Sequence, residues 1–298
     1  MSWRRILRLI SKTPEERTLT LHYFIRRGLS KLPYLPVSVQ FRIPPADQVK
    51  FWWSYVPPDF HPDRQMREYW GQDTGELRFL WRFLHPGMTF LDVGAYHGIY
   101  AVIAAKRVGS QGWVVAFEPS PRDLLRLNLH IKMNRLSRVS VEPLAVAGGS
   151  GESKFYVTAD DPTMNSLRRP VASGPVREIC VNSVTLDQYC AGKGIEPQLI
   201  KVDAEGGELE IFAGARRLLT GVRPLWICEV LDLVTRPWGY PAREIPAALK
   251  VQGYEWFEFR ADGEVIPHQG QHDYPAVRNY LAVPMEKRAL IEDLLWKN

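Results

Sequence analysis

The chain has 298 residues, 45% of them hydrophobic, with ten Trp and a formal net charge of +5. That length suits one large or two small domains, and no apolar run reaches the roughly 18 residues of a membrane span. Residues 1–31 hold eight Lys or Arg against two Glu, and the remainder holds 30 basic against 31 acidic residues. The basic balance therefore describes a tail and not the body, which argues against a nucleic-acid groove across the main domain.

In chain order, Trp3, Ile6, Leu7 and Ile10 fall on one face of a short basic amphipathic helix, with Arg4, Arg5 and Arg8 between them. Thr13-Pro14-Glu15-Glu16 starts a second helix, with Thr as cap and Pro at the first position. The readings for 1–31 are a helical arm docked on the body or a partner, or a segment lying on a membrane surface. Residues 32–70 form a Pro-rich segment with short β strands: seven prolines fall in 32–62, and Val37, Val39, Phe41 and Ile43 alternate, as do Val49, Phe51 and Trp53. Two antiparallel strands turning near Pro44-Pro45 are expected. The third unit, 71–298, opens with a helix over 75–84.

The expected rhythm then runs strand 89–93, helix 98–107, strand 113–118, helix 121–134, strand 139–146. Short strands at 154–158 and 178–184 interrupt it, then strand 198–203 and helix 206–219 resume it. Strand 224–231, a helix near 241–252 and strands 254–259 and 278–283 finish, the last two as an antiparallel pair. Alternating strands and helices imply a Rossmann-like α/β fold, mostly parallel, with helices on both faces. Cys180, Cys190 and Cys228 form no C-x-x-C pair, and with no clean signal segment they read as reduced thiols in a cytoplasmic protein.

The most informative stretch is Phe90-Leu91-Asp92-Val93-Gly94-Ala95-Tyr96-His97-Gly98. It is a buried strand ending in an acid, then a turn through two glycines that let backbone approach a ligand. A dinucleotide turn reads G-x-G-x-x-G, with pyrophosphate on the helix amides. Here Asp92 and the missing third glycine disfavour a pyrophosphate and suit a ligand bearing an ammonium or sulfonium group. S-adenosylmethionine has both, plus a ribose whose hydroxyls Glu118 can accept at the next strand tip. Asp92, Gly94, Ala95, Tyr96 and Gly98 are assigned to that cofactor's methionine side, Glu118 to its ribose, and Pro119 and Ser120 to the border of its adenine. Ser120 before Pro121 also reads as a helix cap. Asp92, Glu118, Asp203 and Glu229 place acids on four of the five strand tips, which favours a polar ligand site along one edge.

Three motifs in order carry a family resemblance: Asp92 to Gly98, Phe117-Glu118-Pro119, and Ile200-Lys201-Val202-Asp203-Ala204-Glu205-Gly206 running on to Gly214-Ala215. Over roughly residues 70–284 the chain resembles the FkbM-type methyltransferases. Tyr96 is a departure, standing where such families often have Asn. The resemblance implies a seven-stranded methyltransferase sheet and S-adenosylmethionine-dependent O-methylation; the expected acceptor is a small molecule or sugar, and the near-neutral balance of the body is why no nucleic acid is expected. An NAD- or nucleotide-sugar-dependent enzyme on the same sheet, or a non-catalytic cofactor-binding module, are the rival readings.

Asp203, Glu205 and Glu229 are the candidate catalytic residues. A carboxylate beside the acceptor hydroxyl can take its proton. The same acids could instead hold Mg²⁺, or Glu205 could simply favour the next helix's N-terminal dipole. The metal-free route is the one adopted. His97, His268 and His272 are weaker candidates, and no His or Cys spacing indicates zinc.

Overall fold

The computed structural model describes residues 37–43, 46–55, 74–159 and 161–297. The expected helices within 1–31 lie outside the described residues. Strands β1 (Val37–Ile43) and β2 (Ala46–Tyr55) form the expected antiparallel ribbon. The main body follows as α1 (Thr74–Phe83), β3 (Thr89–Val93), α2 (Ile99–Val108), β4 (Trp113–Phe117), α3 (Pro121–Met133), β5 (Val139–Glu142), β6 (Leu144–Val146), β7 (Gly151–Thr158), β8 (Val176–Val184) and α4 (Leu186–Lys193). It continues as β9 (Leu199–Val202), α5 (Glu208–Ala213), β10 (Leu225–Glu229), α6 (Asp232–Thr235), α7 (Glu244–Val251), β11 (Tyr254–Phe259), β12 (Val265–Pro267) and β13 (Asn279–Pro284).

An eight-stranded sheet runs β12-β11-β13-β10-β9-β3-β4-β5. The block from β10 to β5 is parallel, while β13, β11 and β12 add as antiparallel neighbours. The extra strand beyond the expected seven is β12, a three-residue edge too short to show a period.

Alternation along the central strands divides their side chains between two cores. Phe90, Val114, Leu199 and Ile227 face one, packed under α1, α2 and α3. Leu91, Val115, Ile200 and Trp226 face the other, under α4, α5 and α7. Burial on both faces is why these strands read as continuous apolar runs. Trp226 is fully buried and meets Phe212 edge-on at 5.4 Å.

Two expected elements are corrected. The strand 139–146 is cut at Pro143, which has no N–H for a ladder. Val139–Glu142 stays beside β4, whereas Leu144–Val146 leaves to pair with β8 in a separate three-stranded sheet, β6-β8-β7. The helix expected over 206–219 ends at Ala213. A Cβ on Gly214 would lie 2.5 Å from the Ala147 carbonyl, so this glycine is where the helix passes closest to the chain leaving β6. A π-helical turn, Leu218–Val222, follows. Helix α4 was not anticipated, although Thr185 caps it by accepting from the Gln188 amide and Gly194 ends it in the left-handed region.

Chain order reverses between β3 and β9: β4 and β5 build outward on one side, β9 and β10 on the other. The carboxyl ends of β3 and β9 therefore flank the switch point, where ligands of such sheets bind.

Candidate active site

The turn after β3 is shaped by what crosses it. Gly94 has φ +72°, and a Cβ there would sit 1.9 Å from the Asp203 carbonyl. The tips of β3 and β9 touch at this point, and the Asp203 amide bonds the Val93 carbonyl at 3.1 Å. The amides of Gly94 and Ala95 both donate to Phe117, pinning the turn to β4. Gly98, at φ +79°, opens α2 with its missing side chain against Leu127 of α3. Tyr96 takes φ +50°, a left-handed position that Asn tolerates better than Tyr. Its ring stacks on His97 with centroids 3.6 Å apart.

A cavity of about 410 Å³ opens over this switch point. Gly94, Ala95, Tyr96, Glu118 and Pro119 line one end, and Asp203, Glu205 and Glu229 line the other. Of the residues assigned from sequence, Asp92, Gly98 and Ser120 are not in the lining. Asp92 is buried behind the turn, where its Oδ2 accepts from the Ala101 amide at 3.0 Å. Burial pushes its carboxyl up to about 6 against the pull of Lys201, and Oδ1 has no hydrogen-bond partner among the described residues. Ser120 is fully buried as the cap of α3, donating to Asp123 at 2.7 Å.

Glu118 is 5% exposed and held from two sides, with Oε2 accepting from the Tyr96 amide and Oε1 from the Ser120 amide, each at 2.8 Å. Burial, then the charge of Asp123, pushes it up to about 8. Each oxygen has used one acceptor direction, so the group is fixed with capacity for further donors.

His97 does not line the cavity. It is buried, burial pushes its ring down to about 4, and its Nε2 accepts from Arg126 at 2.9 Å. His268 and His272 do not line the cavity. His268 sits between Glu258 (2.7 Å) and Tyr274 (2.9 Å), and His272 is 80% exposed.

At the other end, Asp203, Glu205 and Glu229 each offer an oxygen within 4.8 Å of the others. Glu205 leaves β9 at φ +50°, and its carbonyl accepts from Ser166 and Trp238, each at 3.0 Å. Its Oε2 is shut from solvent with no hydrogen-bond partner among the described residues. Burial, followed by the charges of Glu229 and Asp203, holds Glu205 well above the usual carboxylate range. Such a cluster is a donor set for either a shared proton or a hard divalent cation.

Lys201 was overlooked in the sequence. It is 2% exposed, its Nζ lies 3.0 Å from Asp203 Oδ2 and 4.7 Å from the Tyr100 ring centre, and its register partner on β3 is Asp92. A signal was present: Lys201 and Asp203 are two apart in a strand and so share a face, and a Lys in a buried strand must find an anion. Tyr100 in turn donates to Glu76, which also accepts from Asn279 at 2.9 Å.

An open, mostly parallel sheet with a glycine turn and an acid edge at its switch point defines a Rossmann-like protein of methyltransferase type. The methyltransferase FkbM domain matches residues 92–256, more than half of the chain. The chain belongs to the FkbM-domain methyltransferase family. Among solved structures it is similar to the methyltransferase FkbM from Methylobacillus flagellatus KT, at 16% identity and a TM-score of 0.44, covering 67% of this chain and 44% of that one. It is also similar to an O-methyltransferase from Bacillus cereus in complex with SAH, at 14% identity and a TM-score of 0.42, covering 70% and 79%. Among curated proteins, a 50-residue stretch is 42% identical to ribosomal RNA large subunit methyltransferase E of Acinetobacter baumannii, covering 17% of this chain. The match spans about a quarter, 23%, of that relative's length.

Proposed function

We propose that this protein is an S-adenosylmethionine-dependent methyltransferase that methylates a hydroxyl oxygen of a small molecule or sugar. The observation that carries the reading is that the cavity is lined with acidic side chains and almost no basic ones. Glu118, Asp161, Asp203, Glu205 and Glu229 line it, and Lys201 is the one Lys or Arg among its described lining residues. Such a wall favours a cationic ligand over a phosphorylated one. The N-terminus of α2 supports the same choice. Its Ala101 amide is bonded to Asp92, so a carboxylate stands where a dinucleotide turn would present amides to pyrophosphate.

The residues present fit the cofactor. Gly94, Ala95 and Tyr96 would border its methionine portion, Glu118 would accept the ribose hydroxyls, and Pro119 would border the adenine. When bound, the cofactor supplies an electrophilic methyl on a positively charged sulfur. The chain's own work is alignment and proton removal. Asp203, ion-paired to Lys201, is the base that takes the hydroxyl proton as the oxygen becomes nucleophilic. Glu205 stands beside Asp203 in the acid cluster, and Glu229 keeps the acceptor close to Asp203. Tyr100 and Lys201 fix the orientation of Asp203 from below.

Among the described residues no helix is long and apolar enough to cross a membrane. The proposal places the protein in the cytoplasm, with the basic residues 1–31 as an arm for a membrane surface or a partner. Salt-dependent co-sedimentation with anionic vesicles would separate the two.

The central test is ligand-dependent melting. S-adenosylmethionine and S-adenosylhomocysteine should raise the melting temperature and NADH should not, because only a ligand of the native state stabilises it. A larger shift with NADH removes the assignment.

A further inference from the structure

Two polar side chains from outside the matched residues 92–256 meet beside the cavity. Glu76 stands in the first turn of α1, before the match, and Asn279 opens β13, after it. Strand β13 runs antiparallel to β10, so its first residue lies at the carboxyl edge of the parallel strands, where Asn279 is the register partner of Glu229. Asn279 lines the cavity, as do Tyr100 and Lys201. Glu76 is outside the lining and only 6% exposed.

One oxygen of Glu76 joins these parts. Its Oε2 accepts from Asn279 Nδ2 at 2.9 Å and from the Tyr100 hydroxyl at 2.5 Å. Tyr100 is the second residue of α2, two past the Gly98 that closes the cofactor turn. A clamp with one residue each from α1, α2 and β13 therefore ties the Asn279 amide to the helix that begins at that turn. The clamp also decides which way the amide faces. A carboxylate accepts and does not donate, so the amide nitrogen faces Glu76 and the oxygen is turned away from it. That oxygen is shut from solvent and has no hydrogen-bond partner among the described residues. An amide with one half bonded and the other unmet is uncommon, because the unmet half has lost water and gained nothing.

An unmet acceptor calls for a donor, and the surrounding charge selects its kind. Glu76 bonds the amide and Glu229 faces it across the ladder. A cationic donor gains from both carboxylates and from the amide oxygen, whereas a neutral donor gains chiefly from the oxygen. The methionine portion of S-adenosylmethionine carries such a donor, an ammonium with three N–H groups. We propose that Asn279 Oδ1 receives this ammonium, and that Glu76 is the positioning residue that holds the amide ready for it. The cofactor site is thus completed by two residues from outside the family domain, and Asp203 and Glu205 stay available for the acceptor. The assignment rests on S-adenosylmethionine as the cofactor and adds the group that orients its amino-acid end.

The experiment is titration calorimetry on the full chain with S-adenosylhomocysteine and with its deamino analogue, in which hydrogen replaces the ammonium. The unsubstituted protein should bind S-adenosylhomocysteine roughly tenfold or more tightly than the analogue, as a hydrogen bond to a charged group warrants. Asn279→Leu keeps the approximate volume and removes the acceptor. It should weaken S-adenosylhomocysteine by about the same factor and leave the analogue unchanged, so the preference disappears. Glu76→Gln keeps Asn279 but loosens its brace, and should reduce the preference without abolishing it. Equal affinities for the two ligands in the unsubstituted protein overturn the proposal with no variant needed, which keeps it open to refutation even if Asn279→Leu does not fold. A folded Asn279→Leu protein that retains the preference also overturns it, as does one that loses both ligands equally, because a purely structural role moves both together. An undiminished preference in Glu76→Gln removes the positioning role. Absence of S-adenosylhomocysteine binding to the unsubstituted protein removes the cofactor assignment and this proposal with it, whereas the other adverse results leave that assignment standing.

Discussion

The two ends of the cavity treat their acids in opposite ways. At the cofactor end, each carboxylate is tied to backbone: Asp92 to the Ala101 amide, Glu118 to the amides of Tyr96 and Ser120. At the acceptor end, Asp203, Glu205 and Glu229 face one another, and the compensation at Asp203 is a single lysine. Amide-bound carboxylates are fixed receptors whose geometry survives the absence of ligand. Mutually repelling carboxylates are poised to take a proton or a cation, and burial makes that repulsion strong. The first arrangement suits recognition and the second suits chemistry, so substitutions at the two ends should fail in different observables.

The largest effect is expected at the acceptor end. Asp203→Asn keeps the size of the side chain but removes the base and its ion pair with Lys201. Turnover should fall by roughly 10²–10⁴-fold while cofactor affinity stays near normal. Unchanged turnover, measured with labelled cofactor once an acceptor is in hand, would take Asp203 out of the chemistry. The same assay with EDTA decides between the two occupants of the acid cluster. Activity that survives chelation fits a proton held by Glu205, and activity lost to EDTA but restored by Mg²⁺ assigns the cluster to a metal.

Gly94→Ala attacks the point where the two ends are joined. The added methyl would press on the Asp203 carbonyl, and the residue would also have to hold φ +72°. Left-handed strain and overpacking together should cost about 2–4 kcal/mol of stability. Because Gly94 belongs to the cofactor turn and the clash falls on the acceptor strand, both cofactor affinity and turnover should drop. A variant with wild-type melting and binding would show that the tips of β3 and β9 do not need their close approach.

Glu118→Ala should act on binding alone. Losing the acceptor of the ribose hydroxyls should weaken S-adenosylhomocysteine by about 10–100-fold, the worth of one or two hydrogen bonds to a charged group. The intact protein should also show a pH dependence. Glu118 titrates near 8 without ligand, and hydroxyl donors favour its ionised form, so affinity should improve as pH rises towards 8. Between pH 8 and pH 6 the apparent affinity should fall by tenfold or more. Calorimetry that finds pH-independent binding would mean that the ribose is held elsewhere.

The sheet was legible because its strands are buried on both faces, and the glycine turn and acid tips stand at their ends. Segments governed by a single local exception were not. Pro143 hands the second half of an apparent strand to another sheet, and Gly214 ends a helix whose composition would have continued it. The site was legible in the same uneven way. Acids at strand tips announce themselves, whereas the Ser120 side chain is spent on capping the helix it begins. The connection at 159–175 carries no periodic pattern. Part of it is placed by tertiary contacts, Asn165 to Asp123 at 3.1 Å and Ser166 to the Glu205 carbonyl, and such contacts leave no local trace. Lys201 shows a further limit. Its strand was read for apolar content, although a charge inside it was the more informative residue.

The smallest effect should be a gain. Glu205 has a folded value raised above its unfolded one, so its contribution favours the fold at low pH and is lost as pH rises from the unfolded carboxylate value through the raised one. Above about pH 5 the unfolded chain ionises this group freely while the folded chain must keep the proton or bury a charge beside Glu229 and Asp203. Glu205→Gln removes that penalty and keeps the shape. The variant should melt roughly 2–4 °C higher than the parent near pH 8, with little difference near pH 5. The corresponding change at the cofactor end, Glu118→Gln, should gain less, because it also leaves the Tyr96 and Ser120 amides competing for one carbonyl oxygen. Scanning calorimetry at both pH values separates the two. A larger gain at Glu118 than at Glu205 would mean that the amide-bound acid carries more strain than the clustered ones, and the contrast between the two ends would have to be reversed.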